Sequence, residues 1–340
     1  MMRVLVAGGA GFLGSHLCDT LIRRGDFVTC IDNFSTGRIE NIGHLFLSPQ
    51  FRLLEVDVSM PFDLAGTFDV IVHLASPAAP PDYHRLPLET LAVGSRGTEN
   101  LLRLAARHNA RFVLASTSEV YGDPTVHPQP EDYWGHTNPI GPRSVYDEAK
   151  RFAEALTFAY RRTLGVNTGI LRIFNTYGPR MRTDDGRVVT TFIRQALHRL
   201  PLTIYGDGTQ TRSFCYVDDL MRGIVAMIDS TVAGPINLGN PEERSVTEVA
   251  KLVLHLTGSP SSIEYLPLPI DDPLRRRPVI TKAQCLLGWH PTIELTDGLR
   301  HTVSWFTSQL GGMVDCASLI AGTDDCGNLQ AGPAPPAALL

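Results

Sequence analysis

Arg3-Val4-Leu5-Val6-Ala7-Gly8-Gly9-Ala10-Gly11-Phe12-Leu13-Gly14 decides how the rest of this chain is read. Arg3 to Ala7 is an apolar run of strand length, the glycines follow as Gly8-x-x-Gly11-x-x-Gly14, and Ser15 to Arg24 carries Leu17, Leu21 and Ile22 at helical spacing. In that order the glycines permit a tight turn and a close backbone approach to a pyrophosphate, which rests on the positive end of the helix. Phe27 to Ile31 reads as a second strand and ends at Asp32-Asn33. A carboxylate at that edge accepts hydrogen bonds from both adenosine ribose hydroxyls and repels a 2′-phosphate, so the expected cofactor is NAD rather than NADP.

Outward from this unit the alternation continues. Phe51 to Val56 and Asp69 to Leu74 read as strands, Leu88 to His108 as helix, Arg111 to Ala115 and Val166 to Ile173 as strands. The run around Val70 is apolar almost throughout, as a parallel strand covered on both faces requires. The expected fold is α/β: a doubly wound parallel Rossmann sheet with a smaller α/β substrate-binding lobe. Residues 1–175 form the NAD-binding domain, with later segments returning to it; 176–310 form mainly the lobe; 311–340, rich in Gly, Ala and Pro, are expected to be a flexible tail. The dinucleotide should lie against Gly8, Gly11, Phe12, Leu13 and Gly14, then Asp32, Asn33, Thr36 and Gly37, with Asp57 and Val58 after the third strand and Leu74 and Ser76 after the fourth.

Composition narrows the partners. A net charge of -5 over 340 residues argues against nucleic acid as the main partner, and no apolar segment is long enough to span a membrane. Six cysteines without C-x-x-C spacing indicate neither a zinc site nor a disulfide framework; a reducing cytoplasm is expected, and no metal.

Chemistry is concentrated after the fifth strand. Ser116-Thr117-Ser118-Glu119 stands at the carboxyl edge where a bound nicotinamide belongs. After a proline-rich loop, Ser144-Val145-Tyr146-Asp147-Glu148-Ala149-Lys150 places a phenol and an ammonium at i and i+4, on one face of a helix. The chain has only three lysines, Lys150, Lys251 and Lys282. An ammonium beside a phenol favours phenolate. Taken singly, a Y-x-x-x-K spacing is common on helix surfaces; the order of glycine turn, hydroxyl cluster and Y-x-x-x-K is far more specific. Arg180, Arg182, Arg187 and Arg212 follow turns and strand ends, where guanidinium forks meet phosphates.

These motifs resemble the extended short-chain dehydrogenase/reductase superfamily and, within it, the UDP-glucuronic acid decarboxylases, also called UDP-xylose synthases. The likeness runs through His73-Leu74-Ala75-Ser76-Pro77-Ala78, Ala115 to Pro124, Glu131-Asp132-Tyr133-Trp134-Gly135, Asn138 to Arg143, Arg172 to Met181, Asp184 to Val189, Gln210 to Phe214 and Asn237 to Glu243. It implies oxidation of UDP-glucuronate at C4 by NAD, loss of carbon dioxide from the resulting β-keto acid, protonation at C5 and return of hydride to give UDP-xylose. By the same resemblance Tyr146 is the base, Thr117 binds the 4-oxygen, and Lys150 holds the nicotinamide ribose and lowers the tyrosine pKa. Ser118 and Glu119 face the C5 carboxylate, where Glu119 disfavours the ground state by like charge, and Arg276 steers or protonates the intermediate. Asn175, Arg212 and Tyr216 are the family positions for the UDP-sugar, Arg187 and Arg182 reach its phosphates or those of NAD, and a cytoplasmic homodimer is implied. Two features depart from the family: Gly94 stands where asparagine is usual, and the tail has no counterpart. A 4,6-dehydratase needs an acid where this chain has Ser118; a C4-epimerase and a non-catalytic nucleotide-sugar sensor are the remaining alternatives.

Overall fold

The computed structural model describes residues 1–267 and 275–321, with side chains described up to Leu310. Its centre is a sheet of seven parallel strands: β1 (Arg3–Ala7), β2 (Phe27–Asp32), β3 (Phe51–Glu55), β4 (Val70–His73), β5 (Arg111–Thr117), β6 (Thr168–Ile173) and β7 (Ile236–Leu238). They lie in the order β7-β6-β5-β4-β1-β2-β3, so the winding reverses between β1 and β4, where α/β sheets open a ligand crevice. The middle strands β4 and β5 are buried along their whole length, which explains why their sequences show no period-two alternation.

Ten α-helices among the described residues surround the sheet and lobe: α1 (Phe12–Arg23), α2 (Pro80–Arg85), α3 (Pro87–Ala92), α4 (Thr98–His108), α5 (Ser144–Leu164), α6 (Val188–Leu197), α7 (Val217–Asp229), α8 (Val246–Thr257), α9 (Thr281–Leu287) and α10 (Leu295–Ala321). One face of the sheet is covered by α1 and α7 through Leu17, Leu21, Leu220 and Ile224. The other is covered by α4 and α5 through Leu101, Leu102, Ala105 and Ala153. Although α7 and β7 fall within 176–310, they pack with the main sheet. The lobe proper is small. Thr211–Ser213 pairs with Glu243–Ser245 on one side and with Arg275–Arg276 on the other, and Leu202–Tyr205 pairs with Ile263–Leu266.

Three local expectations change. The helix read as continuous from Leu88 to His108 is α3, a π-helical turn at Val93–Gly97, then α4. Gly94 sits in that turn against α5, where a Cβ would lie 2.7 Å from the Ala149 Cβ and 2.9 Å from its carbonyl oxygen. Its glycine is thus a packing requirement and not only a weak helix former. Strand β5 runs on to Thr117, so Ser116 and Thr117 are strand residues. Helix α10 continues to Ala321, past the expected start of the tail; residues 322–340 lie outside the described residues, as does Asp271 to Leu274 of the charged loop.

Candidate active site

Of the residues expected to hold the dinucleotide, Gly8, Gly11, Phe12, Leu13, Gly14, Asp32, Asn33, Thr36, Gly37, Asp57, Val58, Leu74 and Ser76 line one groove along the carboxyl ends of β1, β2 and β4, while Tyr146 and Lys150, also expected to touch the cofactor, line the adjoining cleft. The turn has no room for side chains. Gly8 has φ +79°, and a Cβ on it would lie 2.6 Å from the Ala75 nitrogen; a Cβ on Gly14 would overlap the Gly8 carbonyl. Asp32 accepts the Ala10 and Phe34 N–H groups, each at 2.9 Å. Burial raises its carboxyl pKa against the pull of those N–H groups. A Cβ on Gly37 would come within 2.7 Å of Asp32 Oδ1, so the chain closes over the carboxylate only with glycine there. A glycine-floored groove at a helix N-terminus with a carboxylate on its far rim fits NAD.

Guanidinium groups flank the groove. Arg180 pairs with Asp19 at 2.7 Å, and Arg182 holds Asp82 at 2.9 Å and Asp184 at 3.1 Å; both line the groove. Arg187 grips Asp185 through Nε at 2.5 Å and Nη2 at 2.7 Å, and it lines both the groove and the cleft beyond.

That cleft has a volume of about 1030 Å³, room for a nucleotide sugar, and lies between the sheet edge and the lobe. Thr117, Ser118, Glu119, Tyr146, Lys150, Asn175, Arg187, Arg212 and Arg276 all line it. Tyr216 does not. It pairs in register with Tyr177, packs its ring 5.6 Å from the Tyr177 ring and 6.2 Å from the His301 ring, and is 6% exposed, so its place is in the core beneath the lobe. Arg276 stands beside Arg212 because their two short strands pair.

At the inner end, α5 presents Tyr146 and Lys150. Lys150 donates to the Ala115 carbonyl at 3.0 Å, and its Nζ lies 5.8 Å from the Tyr146 ring centroid. Burial lowers the Lys150 pKa to about 8, with Glu154 resisting. The same burial raises the Tyr146 phenol above its ordinary value, and the hydrogen bond with Thr117 pulls only partly against it. In the chain alone the Lys150 hydrogen bond goes to a carbonyl, and the groups that pull the Tyr146 phenol down are Thr117 and Arg187. His73 is buried close by; burial and then Lys150 lower its pKa to about 3, so it is neutral and adds no second positive charge.

The other end of the cluster is ionic. Glu119 follows β5 in a short 3-10 turn, Ser118–Tyr121, with its N–H donated to Thr117 Oγ1 at 3.2 Å. Its carboxylate is held by Arg143 Nη2 at 2.6 Å and by Arg276 Nη1 on the other oxygen. Burial pushes the Glu119 pKa up, but Arg276 and then Arg143 outweigh it and bring it to about 2. Asp147 belongs to the same cluster: burial and then Glu119 raise its pKa to about 7 against Arg143 and Arg276, so the two guanidiniums face two carboxyl groups, one of them partly protonated at neutral pH. The like-charge role expected for Glu119 requires its ionised form, which Arg276 and Arg143 favour.

The NAD dependent epimerase/dehydratase family model matches residues 4–239. UDP-glucuronic acid decarboxylase 1 of Danio rerio is 53% identical over 91% of this chain and 73% of its own length; the protein of the same name in Arabidopsis thaliana is 52% identical over 91% and 71%. The chain belongs to the NAD dependent epimerase/dehydratase family. Among solved structures, a UDP-glucuronic acid 4-epimerase from Bacillus cereus, with UDP-glucuronic acid and NAD, is 31% identical with a TM-score of 0.82, covering 91% of this chain and all of that one. A dTDP-glucose 4,6-dehydratase from Streptomyces venezuelae, with NAD, is 29% identical with a TM-score of 0.83, over 92% and 98%.

Several residues of this family member escaped the sequence reading. Arg143 was quoted only as the end of a motif, and nothing local marks it as the partner of Glu119, 24 positions earlier. Tyr83 lines the cleft and stacks on Tyr146, with ring centroids 5.4 Å apart and planes 8° apart. Behind β5, Ser116 donates to Glu154 at 2.6 Å, and Glu154 binds Arg172 at 2.7 and 2.9 Å. That network pins the strand end that carries Thr117.

Proposed function

We propose that this protein converts UDP-glucuronate to UDP-xylose and carbon dioxide, with NAD used and regenerated in each turnover. The observation that carries this reading is the pairing of two unlike clusters in one cleft: Thr117, Tyr146 and Lys150 at its inner end, and Glu119, Arg143 and Arg276 beside them. Its relatives named UDP-glucuronic acid decarboxylase share half of its residues, which supports the same substrate.

The groove from Gly8 to Gly14, with Asp32, Asp57 and Val58, holds NAD. Bound there, NAD would supply the acceptor for the C4 hydride and its later return, and its positive nicotinamide would favour phenolate at Tyr146. Thr117 Oγ1 holds the 4-oxygen, and Tyr146 accepts its proton as C4 becomes a ketone. Lys150 stays charged below about pH 8 and binds the ribose next to it. Arg143 and Arg276 bind the C5 carboxylate beside Glu119, with Ser118 next to it. A carboxylate β to the new ketone leaves as carbon dioxide because its electron pair delocalises onto the C4 oxygen as an enolate. The protein supplies position and field for that step. Asn175, Arg187 and Arg212 bind the nucleotide end.

We also infer a cytoplasmic homodimer. The free thiols at Cys18, Cys30, Cys215 and Cys285 support the first, and the half-exposed Phe152 of α5 and Leu91 of α3 support the second; equilibrium sedimentation tests it. No helix among the described residues is long and apolar enough to cross a membrane.

The deciding experiment incubates the NAD-loaded protein with UDP-glucuronate and measures released carbon dioxide and the nucleotide sugar formed. Stoichiometric carbon dioxide and a UDP-pentose are expected. A UDP-hexuronate epimerised at C4, with no gas, would instead make this chain an epimerase like its Bacillus cereus neighbour.

A further inference from the structure

Loss of carbon dioxide leaves an enolate whose C5 must receive a proton, and Arg276 is poorly suited to give it. Its Nη1 is bound to Glu119 and its Nη2 to the Gly122 carbonyl at 3.3 Å, and although its Nε is buried without a partner, a guanidinium gives up a proton with great reluctance. Tyr83 answers the requirement better. It stands on α2, at the carboxyl edge beyond β4, is 1% exposed, and lines the cleft. Its ring lies parallel to that of Tyr146, and its hydroxyl is buried with no hydrogen-bond partner among the described residues. A buried hydroxyl without a partner costs stability, and a residue that lines a ligand cleft in that state is waiting for a partner the ligand brings.

We propose that Tyr83 is a second catalytic tyrosine, whose hydroxyl delivers the proton to C5 after carbon dioxide has left. The step rests on the decarboxylase reading above. The C4–C5 π electrons of the enolate take the proton from Tyr83 Oη to make the C5–H bond, the C4–O⁻ becomes C4=O, and the negative charge passes to the Tyr83 phenolate, which water reprotonates. The surroundings suit the transfer. Burial holds the Tyr83 phenol at about 12, so it stays protonated through the oxidation step, while Arg143 and Arg276 favour its phenolate against the opposing charges of Glu119 and Asp147. An enolate carbon is a much stronger base than a phenolate, so the transfer runs downhill. The two stacked tyrosines then divide the work: Tyr146 handles the proton on O4 and Tyr83 the proton on C5.

The test is Tyr83→Phe, assayed in deuterium oxide with UDP-glucuronate. Wild type should place one deuterium at C5 in a single stereochemical position, with equal yields of carbon dioxide and UDP-xylose in the first turnover. The variant should keep its affinity for NAD and for UDP, melt at or above wild type because an unpartnered buried hydroxyl has gone, and lose about 10²-fold in kcat. Its first turnover should release more carbon dioxide than UDP-xylose, and deuterium should appear in both positions at C5. Single-position deuterium with equal yields would overturn the proposal whatever the rate, since the hydroxyl would then be only a support for Tyr146. A lowered melting temperature would also overturn it, by showing that the hydroxyl has a structural partner. Wild type that releases no carbon dioxide fails the decarboxylase reading first, and this inference with it.

Discussion

The groove that takes the dinucleotide and the ionic end of the sugar cleft are built on opposite plans. The groove is made of backbone and of residues close in sequence: Gly8 to Gly14 fold onto one another, and Asp32 is fixed by N–H groups from Ala10 and Phe34. The ionic end is made of side chains brought from far apart, Glu119 held by Arg143 from the loop before α5 and by Arg276 from a lobe strand. A local, backbone-built site recognises a constant part, the cofactor. A site assembled across two lobes can change one side chain and so change the product, which is how one fold serves the epimerase and the dehydratase among its structural neighbours.

The largest expected effect breaks the link between the two regions. Tyr146→Phe removes the proton acceptor for O4 but no part of the groove. Turnover of UDP-glucuronate should fall about 10³-fold or more, while NAD and UDP binding, measured by calorimetry, stay within a few fold of wild type. A variant retaining a tenth of the activity would mean that the base lies elsewhere.

The difference in plan also explains what could be read in advance. The glycine turn, Asp32 and the Y-x-x-x-K pair were legible because each is a short-range pattern imposed by a backbone requirement or a helical period. The parallel strands were legible because their burial on both faces leaves continuous apolar runs. Arg143 was not, since a charged residue after Gly-Pro looks the same whether it faces water or Glu119. Tyr216 was placed in the cleft by family position, but the ring is taken up in packing with Tyr177 and His301. Tyr83 carried no signal, because stacking across α2 and α5 has no period in the sequence.

Next in size is the removal of one guanidinium from the ionic end. Arg143→Ala leaves Glu119 with Arg276 alone and removes one of the two guanidiniums that would meet the substrate carboxylate. The KM for UDP-glucuronate should rise about tenfold or more, as losing one charge-assisted contact implies. The inhibition constant of UDP-glucose, which has no carboxylate, should hardly move. Equal losses for both ligands would show that Arg143 supports the cleft generally instead of reading the carboxylate. The same cluster sets an acid limit. With Glu119 near 2 in the fold against an ordinary 4.5, its contribution to stability is complete above pH 4.5 and is lost as pH falls towards 2. Glu119→Gln removes that slope and takes from Arg143 and the buried Arg276 the carboxylate they share, so the variant should be less stable at pH 7 and show a shallower loss between pH 4.5 and 2, followed by urea unfolding.

A smaller effect belongs to the groove. Asp32→Asn keeps the shape and the Phe34 contact but removes the charge that repels a 2′-phosphate. Affinity for NAD should drop by about tenfold, from weaker charge-assisted hydrogen bonds to the ribose, and the preference over NADP should narrow. An unchanged NAD to NADP ratio would indicate that the pocket walls, not the carboxylate, choose the cofactor.

The smallest change tests whether the two plans meet at α5. Gly94 presses the π-helical turn onto Ala149, the residue before Lys150, and Val93 of the same turn lines the groove. A methyl group at 94 collides with both the Ala149 side chain and its carbonyl, so turn and helix must separate by some tenths of an ångström. Gly94→Ala should cost about 1–3 kcal/mol by denaturant titration, the usual range for overpacking a close contact. If the turn positions Lys150, kcat should also fall several-fold, and the alkaline limb of the pH profile, set by Lys150 near 8, should move. Lost stability with an unmoved alkaline limb would confine Gly94 to packing, and would show that Lys150 takes its place from β5, through the Ala115 carbonyl, alone.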